Sequence, residues 1–197
     1  MASLPTMPGD LGLNGLSGDT PSRILIDAGA IYANFIDADN PGICIGATRG
    51  GSTFTVEREI REITVDGAIG PTKGLRRRSR VVATIETNAL ELFPNNMARL
   101  IAGADSDDSD PDYTVITGGP VEAGDYLDNL ALVGTIHGND LPFVAIISNA
   151  LPESPLAIPL GPNDEAVIAA KWTGHASLAS PYDEPWELWL PSDLSGS

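Results

Sequence analysis

GATRGGSTFTVEREIREITVDGAIGPTKGLRRRSRVVATIETNALEL, residues 46–92, decides the fold. The stretch reads as two long strands, residues 53–66 and 79–92, joined by DGAIGPTKG at 66–74, where Gly and Pro break regular structure and turn the chain back on itself. Half of the fourteen residues of the first strand are β-branched (Thr53, Thr55, Val56, Ile60, Ile63, Thr64, Val65), and such side chains fit a pleated surface better than a helix. Apolar residues alternate at Phe54, Val56 and Ile60 and change phase at Ile63 and Val65, which predicts a bulge near Arg61. The rival is a short helix, because Val56, Ile60 and Ile63 also fall at helical spacing and Glu57 with Arg61 forms an i,i+4 pair.

Length gives the hairpin its meaning. Fourteen residues at about 3.3 Å each span roughly 46 Å, whereas a compact domain of 197 residues has a radius of gyration of about 16 Å and so a diameter of about 42 Å. A hairpin as long as its body either curls around it or projects as an arm. Two unsupported strands are marginally stable in water, so the pattern calls for a partner, and the nearest candidate is another copy of the same chain.

The 197 residues suffice for one domain with a sizeable core. With 42% apolar and 19% charged residues the composition is globular, and the formal charge of −16 argues against tight binding to nucleic acid phosphates or anionic membranes. Cys44 is the only cysteine, so an internal disulfide and a thiolate zinc cluster are excluded, and a buried thiol is expected. No Lys or Arg precedes Arg23, so a charged secretory n-region is missing, and no apolar run reaches the roughly 18 residues of a membrane span. The expectation is synthesis and folding in a cytosol.

Along the chain, residues 1–22, rich in Gly, Pro and scattered Leu, read as a flexible N-terminal arm, 23–190 as the domain, and 191–197 as a polar tail. RILIDAG (23–29) and AIYANFI (30–36) are two short candidate strands, followed by a turn and ICIG (43–46). PNNMARLIAG (94–103) is the one persuasive helix, with Pro94 at its start, Met97, Leu100 and Ile101 as its apolar stripe, and Gly103 as its C-terminal cap. ADSDDSDPD (104–112) holds five Asp in nine residues but lacks the glycine and closing Glu of a calcium loop, so it reads as a solvated acidic loop. Further strands are expected in YTVIT (113–117), LALVGTIHG (130–138), PFVAIISNA (142–150), SPLAIPL (154–160) and AVIAAKWTGHASL (166–178), while Trp186 and Trp189 dock near the end. Eight or nine strands and one helix, with short connections, predict an antiparallel, mainly β fold.

No constellation of catalytic residues emerges. The chain has no GxSxG elbow, no GxxxxGK[ST] loop and no HExxH helix. His137 and His175 stand apart from other metal-ligating residues, and the Gly50-Gly51 pair precedes a strand, not a helix, so neither a metal site nor a phosphate cradle is expected. Charge placement is more informative. Seven of the eleven basic residues (Arg58, Arg61, Lys73, Arg76, Arg77, Arg78, Arg80) lie in or beside the hairpin, while acids dominate residues 105–128. The Arg76-Arg77-Arg78 run is either a solvated turn or an electrostatic contact between copies, basic tip to acidic loop, of the head-to-tail kind that generates rings or filaments.

GATRGGSTFTVEREIREITVDGAIGPTKGLRRR, with the strand and short helix that follow, resembles the tail tube (major tail) proteins of long-tailed bacterial viruses, and EAVIAAKWTGHASLASPYDEPWEL resembles their closing strand and PWE-type ending. The likeness covers residues 28–102 and 164–188. It implies an antiparallel β-sandwich with one flanking helix, no cofactor and no enzymatic activity. It also implies a virion subunit, assembled in the host cytoplasm, whose hexameric rings stack head to tail into the conduit for the genome, alongside tape measure and terminator proteins. By matching position, Asp66, Gly67, Gly70, Pro71, Lys73, Arg76, Arg77 and Arg78 belong to the loop that reaches the adjacent ring. DNA passes such a lumen without specific binding, so the lining should be polar and preferably negative. Candidates are the polar alternates Thr55, Glu57 and Glu59 on the first strand and Thr84, Glu86 and Asn88 on the second, which could equally form an ordinary solvent face. The alternatives are another ring-forming virion component of the same fold, such as a tail terminator or the tube of a contractile injection machine, and a glycan-binding or glycan-cleaving β-sandwich.

Overall fold

The computed structural model describes residues 20–194. After a 3₁₀ turn at Pro21–Arg23 come β1 (Leu25–Ala33), β2 (Ile43–Cys44), β3 (Thr48–Glu62), β4 (Arg76–Ala89), helix α1 (Pro94–Arg99), β5 (Ala104–Asp107), β6 (Val115–Gly118), β7 (Leu127–Ile136), β8 (Phe143–Pro152), β9 (Ile168–Thr173) and β10 (Trp186–Trp189). All pairings are antiparallel. Eight strands form one sheet in the order β2-β1-β7-β8-β9-β4-β3 with β10 added on β8, and β5 with β6 forms a separate hairpin.

The large sheet folds over itself at β8. Residues 144–147 of that strand pair with β10, whereas Leu151 and Pro152 pair with β9. Asn149 lies between them at φ 45°, a left-handed conformation that Asn tolerates, and its Nδ2 donates to the His175 carbonyl at 2.8 Å. The two halves then face each other. Ile31, Leu130, Leu132 and Ile147 from one half pack with Ala83, Ile85, Ile168 and Trp172 from the other. Full burial of an Ile, Leu or Val side chain contributes about 1.5–3 kcal/mol. Helix α1 closes one end through Met97, and the Trp172 indole N–H donates to the Arg99 carbonyl at 3.1 Å.

The mainly β, antiparallel architecture and the short helix agree with expectation, but several elements differ. The expected strands at 23–29 and 30–36 are a single β1, irregular between Ile26 and Ala30 because Asp27 takes φ 64°. The hairpin strands begin and end earlier than predicted, since β4 starts at Arg76, not at residue 79. The bulge falls on β4: Glu59 faces Arg80 and Ile60 faces Arg78, leaving Ser79 as the extra residue, with its hydroxyl donating to the Glu59 carbonyl at 3.1 Å. Residues 154–160 form no strand, and α1 stops at Arg99, short of Gly103. Cys44 is exposed rather than buried, because β2 is only two residues long and places Ile45 in the core instead. The expected flexible arm, residues 1–22, lies outside the described residues except for its last three.

Candidate functional site

β3 bonds only to β4 among the described residues, and β4 finds its second neighbour, β9, only from Thr84 onward. From Glu57 to the tip, therefore, the hairpin is a two-stranded ladder with an open edge on either side, and its β3 side chains are exposed through Glu62. The connection, residues 63–75, closes with the Ile63 amide donating to the Leu75 carbonyl at 2.7 Å. Two turns follow, 65–68 and 72–75, each with a glycine at positive φ (Gly67, 89°; Gly74, 92°) where a side chain would be strained. Apolar side chains ride on this arm in water: Ile60, Ile63 and Val65 are exposed, and Ile69 at the tip is wholly so.

The charges along the arm are unbalanced. Arg61 stands directly opposite Arg77, and like charges at such a pair are destabilising. Arg76 has a loose ion pair with Glu62 at 3.6 Å, while Arg61, Lys73, Arg77 and Arg80 have no ion pair among the described residues. Arg78 behaves differently. It turns back to the body, donating to the Glu184 carboxylate and to the Tyr182 carbonyl.

Glu184 fixes the base of the arm. It also accepts from Arg58 at 2.8 Å and from the Trp186 indole at 2.6 Å, and Arg58 lies 5.2 Å from the Trp186 ring centroid. Partial burial opposes ionisation of this carboxyl, whose side chain is 18% exposed, but the bonds from Arg58, Trp186 and Arg78 outweigh that and hold its pKa below the ordinary glutamate value. Beyond the clasp the ladder continues from Ile60 to Glu62, about 10 Å at strand rise, before the connection 63–75.

The second surface is the outer face of β3, β4 and β9. Register brings the polar alternates together: Thr55 pairs with Thr84 and Thr84 with Thr173, Thr53 with Glu86 and Glu86 with Lys171, Asn88 with Ala169. Glu57 and Glu59 continue the same face opposite Val82 and Arg80. Four carboxylates (Glu57, Glu59, Glu86, Glu153) share this face with Lys171 and Arg80, and the same alternation carries it on to Arg61 and Arg77, so the surface is polar with charges of both signs. Lys171 sits 2.6 Å from Glu86, whose hydrogen bond raises the lysine pKa against a smaller desolvation effect.

Residues 104–112 are not a simple loop. Ala104–Asp107 pairs with Val115–Gly118, and the carboxylates spend their oxygens on local backbone: Asp107 accepts from the Ser109 amide at 2.9 Å, and Asp110 from the Asp112 and Tyr113 amides. The Ser109 amide bond lowers the Asp107 pKa. His175 stands 3.8 Å from Glu153, while His137 Nδ1 lies 3.2 Å from the Pro21 carbonyl.

The structure thus brings Thr55, Glu57, Glu59, Thr84, Glu86 and Asn88 onto one face, and places Asp66, Gly67, Gly70, Pro71 and Lys73 in the connection at the arm's end. Arg76, Arg77 and Arg78 lie in β4 instead of that connection, and only the first two remain available at the arm's outer half. The clasp at Glu184 escaped sequence reasoning, because nothing in YDEPWELW announces that its acid meets two arginines more than a hundred residues earlier. The chain matches no protein-family model and no curated protein sequence.

Proposed function

We propose that this chain is a structural virion protein, a tail tube subunit that self-assembles into hexameric rings stacked head to tail as the conduit for the viral genome. The observation that carries this reading is the arm. It is a two-stranded projection with open edges, exposed isoleucines and an opposed Arg61–Arg77 pair, all of which an acidic neighbour of the same kind would relieve. The face of β3, β4 and β9 is polar, with Glu57, Glu59 and Glu86 interleaved among its cations, and such a surface suits a lumen that duplex DNA traverses without specific binding. The resemblance of residues 46–78 to tail tube proteins supports the same role, with tape measure and terminator proteins as further partners.

Negative-stain imaging of the purified protein tests the reading. Stacked rings or tubes are expected. Single capped rings would point to a terminator of related fold, and dispersed monomers that bind glycan would replace the proposal altogether.

A further inference from the structure

The outer face of the β1-β7-β8 half is apolar where an antiparallel sheet ordinarily meets water. Phe35, Ala131, Val144 and Ile146 are buried there, and beside them runs an open groove of about 400 Å³ lined chiefly by Tyr32, Phe35, Val133, Leu141, Val144 and Trp189. Trp189 packs edge-on against Phe35, with centroids 5.7 Å apart, yet 41% of it is exposed, as is 59% of Leu141. Acids interleave with the lining: Asp37 and Asp39 flank Ala38, Asp140 precedes Leu141, and Glu187 accepts from the Trp189 indole at 3.1 Å. All four are exposed, and none has an ion pair among the described residues. This is an apolar slot with a negative rim.

The arm's tip has the converse character. Ile63, Val65 and Ile69 are exposed apolar side chains, and Lys73, Arg76 and Arg77 stand beside them. We propose that the tip of one copy docks in this groove of the next, the isoleucines covering Trp189 and Leu141 and the cations meeting the acidic rim. The arm does not fill its own groove: residues 62–75 pack among themselves, and the groove is lined wholly by other segments. Tip and groove are different patches of one molecule, so the contact is heterologous and propagates from copy to copy. The inference rests on the self-assembly reading and names the surface that reading needs.

Bis-maleimide cross-linking tests it. Cys44 is exposed and is replaced first, Cys44→Ser; Ile69→Cys and Leu141→Cys are then added together and singly, all at exposed positions whose fold is checked by circular dichroism. The double variant should give a ladder of trimers and larger species that neither single variant shows. Particles visible by microscopy without that ladder would overturn the docking site and leave self-assembly standing. A fast-migrating, internally linked monomer would overturn it in favour of the chain's own arm, and a ladder obtained from Leu13→Cys with Leu141→Cys but not from Ile69→Cys would overturn it in favour of residues 1–19. If the Cys44→Ser parent never assembles at any concentration, the self-assembly reading fails, and the docking proposal with it.

Discussion

Arg58 on β3 donates to Glu184 at 2.8 Å, and the same carboxylate takes Arg78 from β4, so one acid ahead of the last strand grips both strands of the arm at its root. The grip lies where the ladder loses its neighbour β9.

Replacing this acid, Glu184→Gln, should lower unfolding stability by about 1–2 kcal/mol, a range kept small because both arginines are nearly half exposed. The pH dependence has a definite sign. The pKa of Glu184 is depressed in the fold, so its contribution is fully present above the ordinary glutamate value of about 4.3 and is lost as pH falls through the lower folded value. Denaturant melts of both proteins should therefore differ at neutral pH and converge as the solution is acidified below about pH 4.

Arg77→Glu separates stability from assembly. It removes the Arg61–Arg77 opposition, so the isolated subunit should be unchanged or more stable by about 0.2–1 kcal/mol in a denaturant melt. Assembly, followed by light scattering, should need a higher protein concentration, and wild-type assembly should weaken as salt rises. Loss of both stability and assembly would assign Arg77 to the fold.

The acids on the β3-β4-β9 face make a different prediction. Wild-type assemblies should not retain duplex DNA, whereas Glu57→Lys with Glu59→Lys should retain it at low salt and release it as salt increases, measured by gel retention. Retention equal to wild type would take this face off the DNA path.

Asn96 is the buried polar residue of α1, 1% exposed, and its amide donates to the carbonyls of Cys44 and Ile45. Asn96→Ala leaves those groups without their partner and should cost about 1–3 kcal/mol in thermal or chemical unfolding. Arm chemistry should be untouched, so assembly per folded molecule should be preserved.

Much of this is legible in the chain itself. The β-branched run at residues 53–65 and the breakers at 66–74 specify a long hairpin, and alternation alone places Thr55, Glu57 and Glu59 on one side of it. Register between strands was not legible, because it is set by the extra residue Ser79 and by the Gly50–Gly51 irregularity, which alternation does not locate. The fate of Arg78 was hidden for a related reason: three consecutive arginines look alike in sequence, and only the pleat decides that Arg78 meets Glu184 while Arg77 faces Arg61. Cys44 misled because its neighbours are apolar, yet a two-residue edge strand buries Ile45 and leaves the thiol in water. The apolar groove was hidden too, being assembled from four separate segments that meet only when the sheet folds.

Sedimentation velocity of the intact protein, beside a variant with residues 63–75 replaced by a tight turn, tests the central claim most directly. The account predicts that the intact chain forms large assemblies with rising concentration, while the shortened one folds and remains at subunit mass. An intact chain that stays monomeric throughout, or a shortened one that assembles equally well, would contradict it.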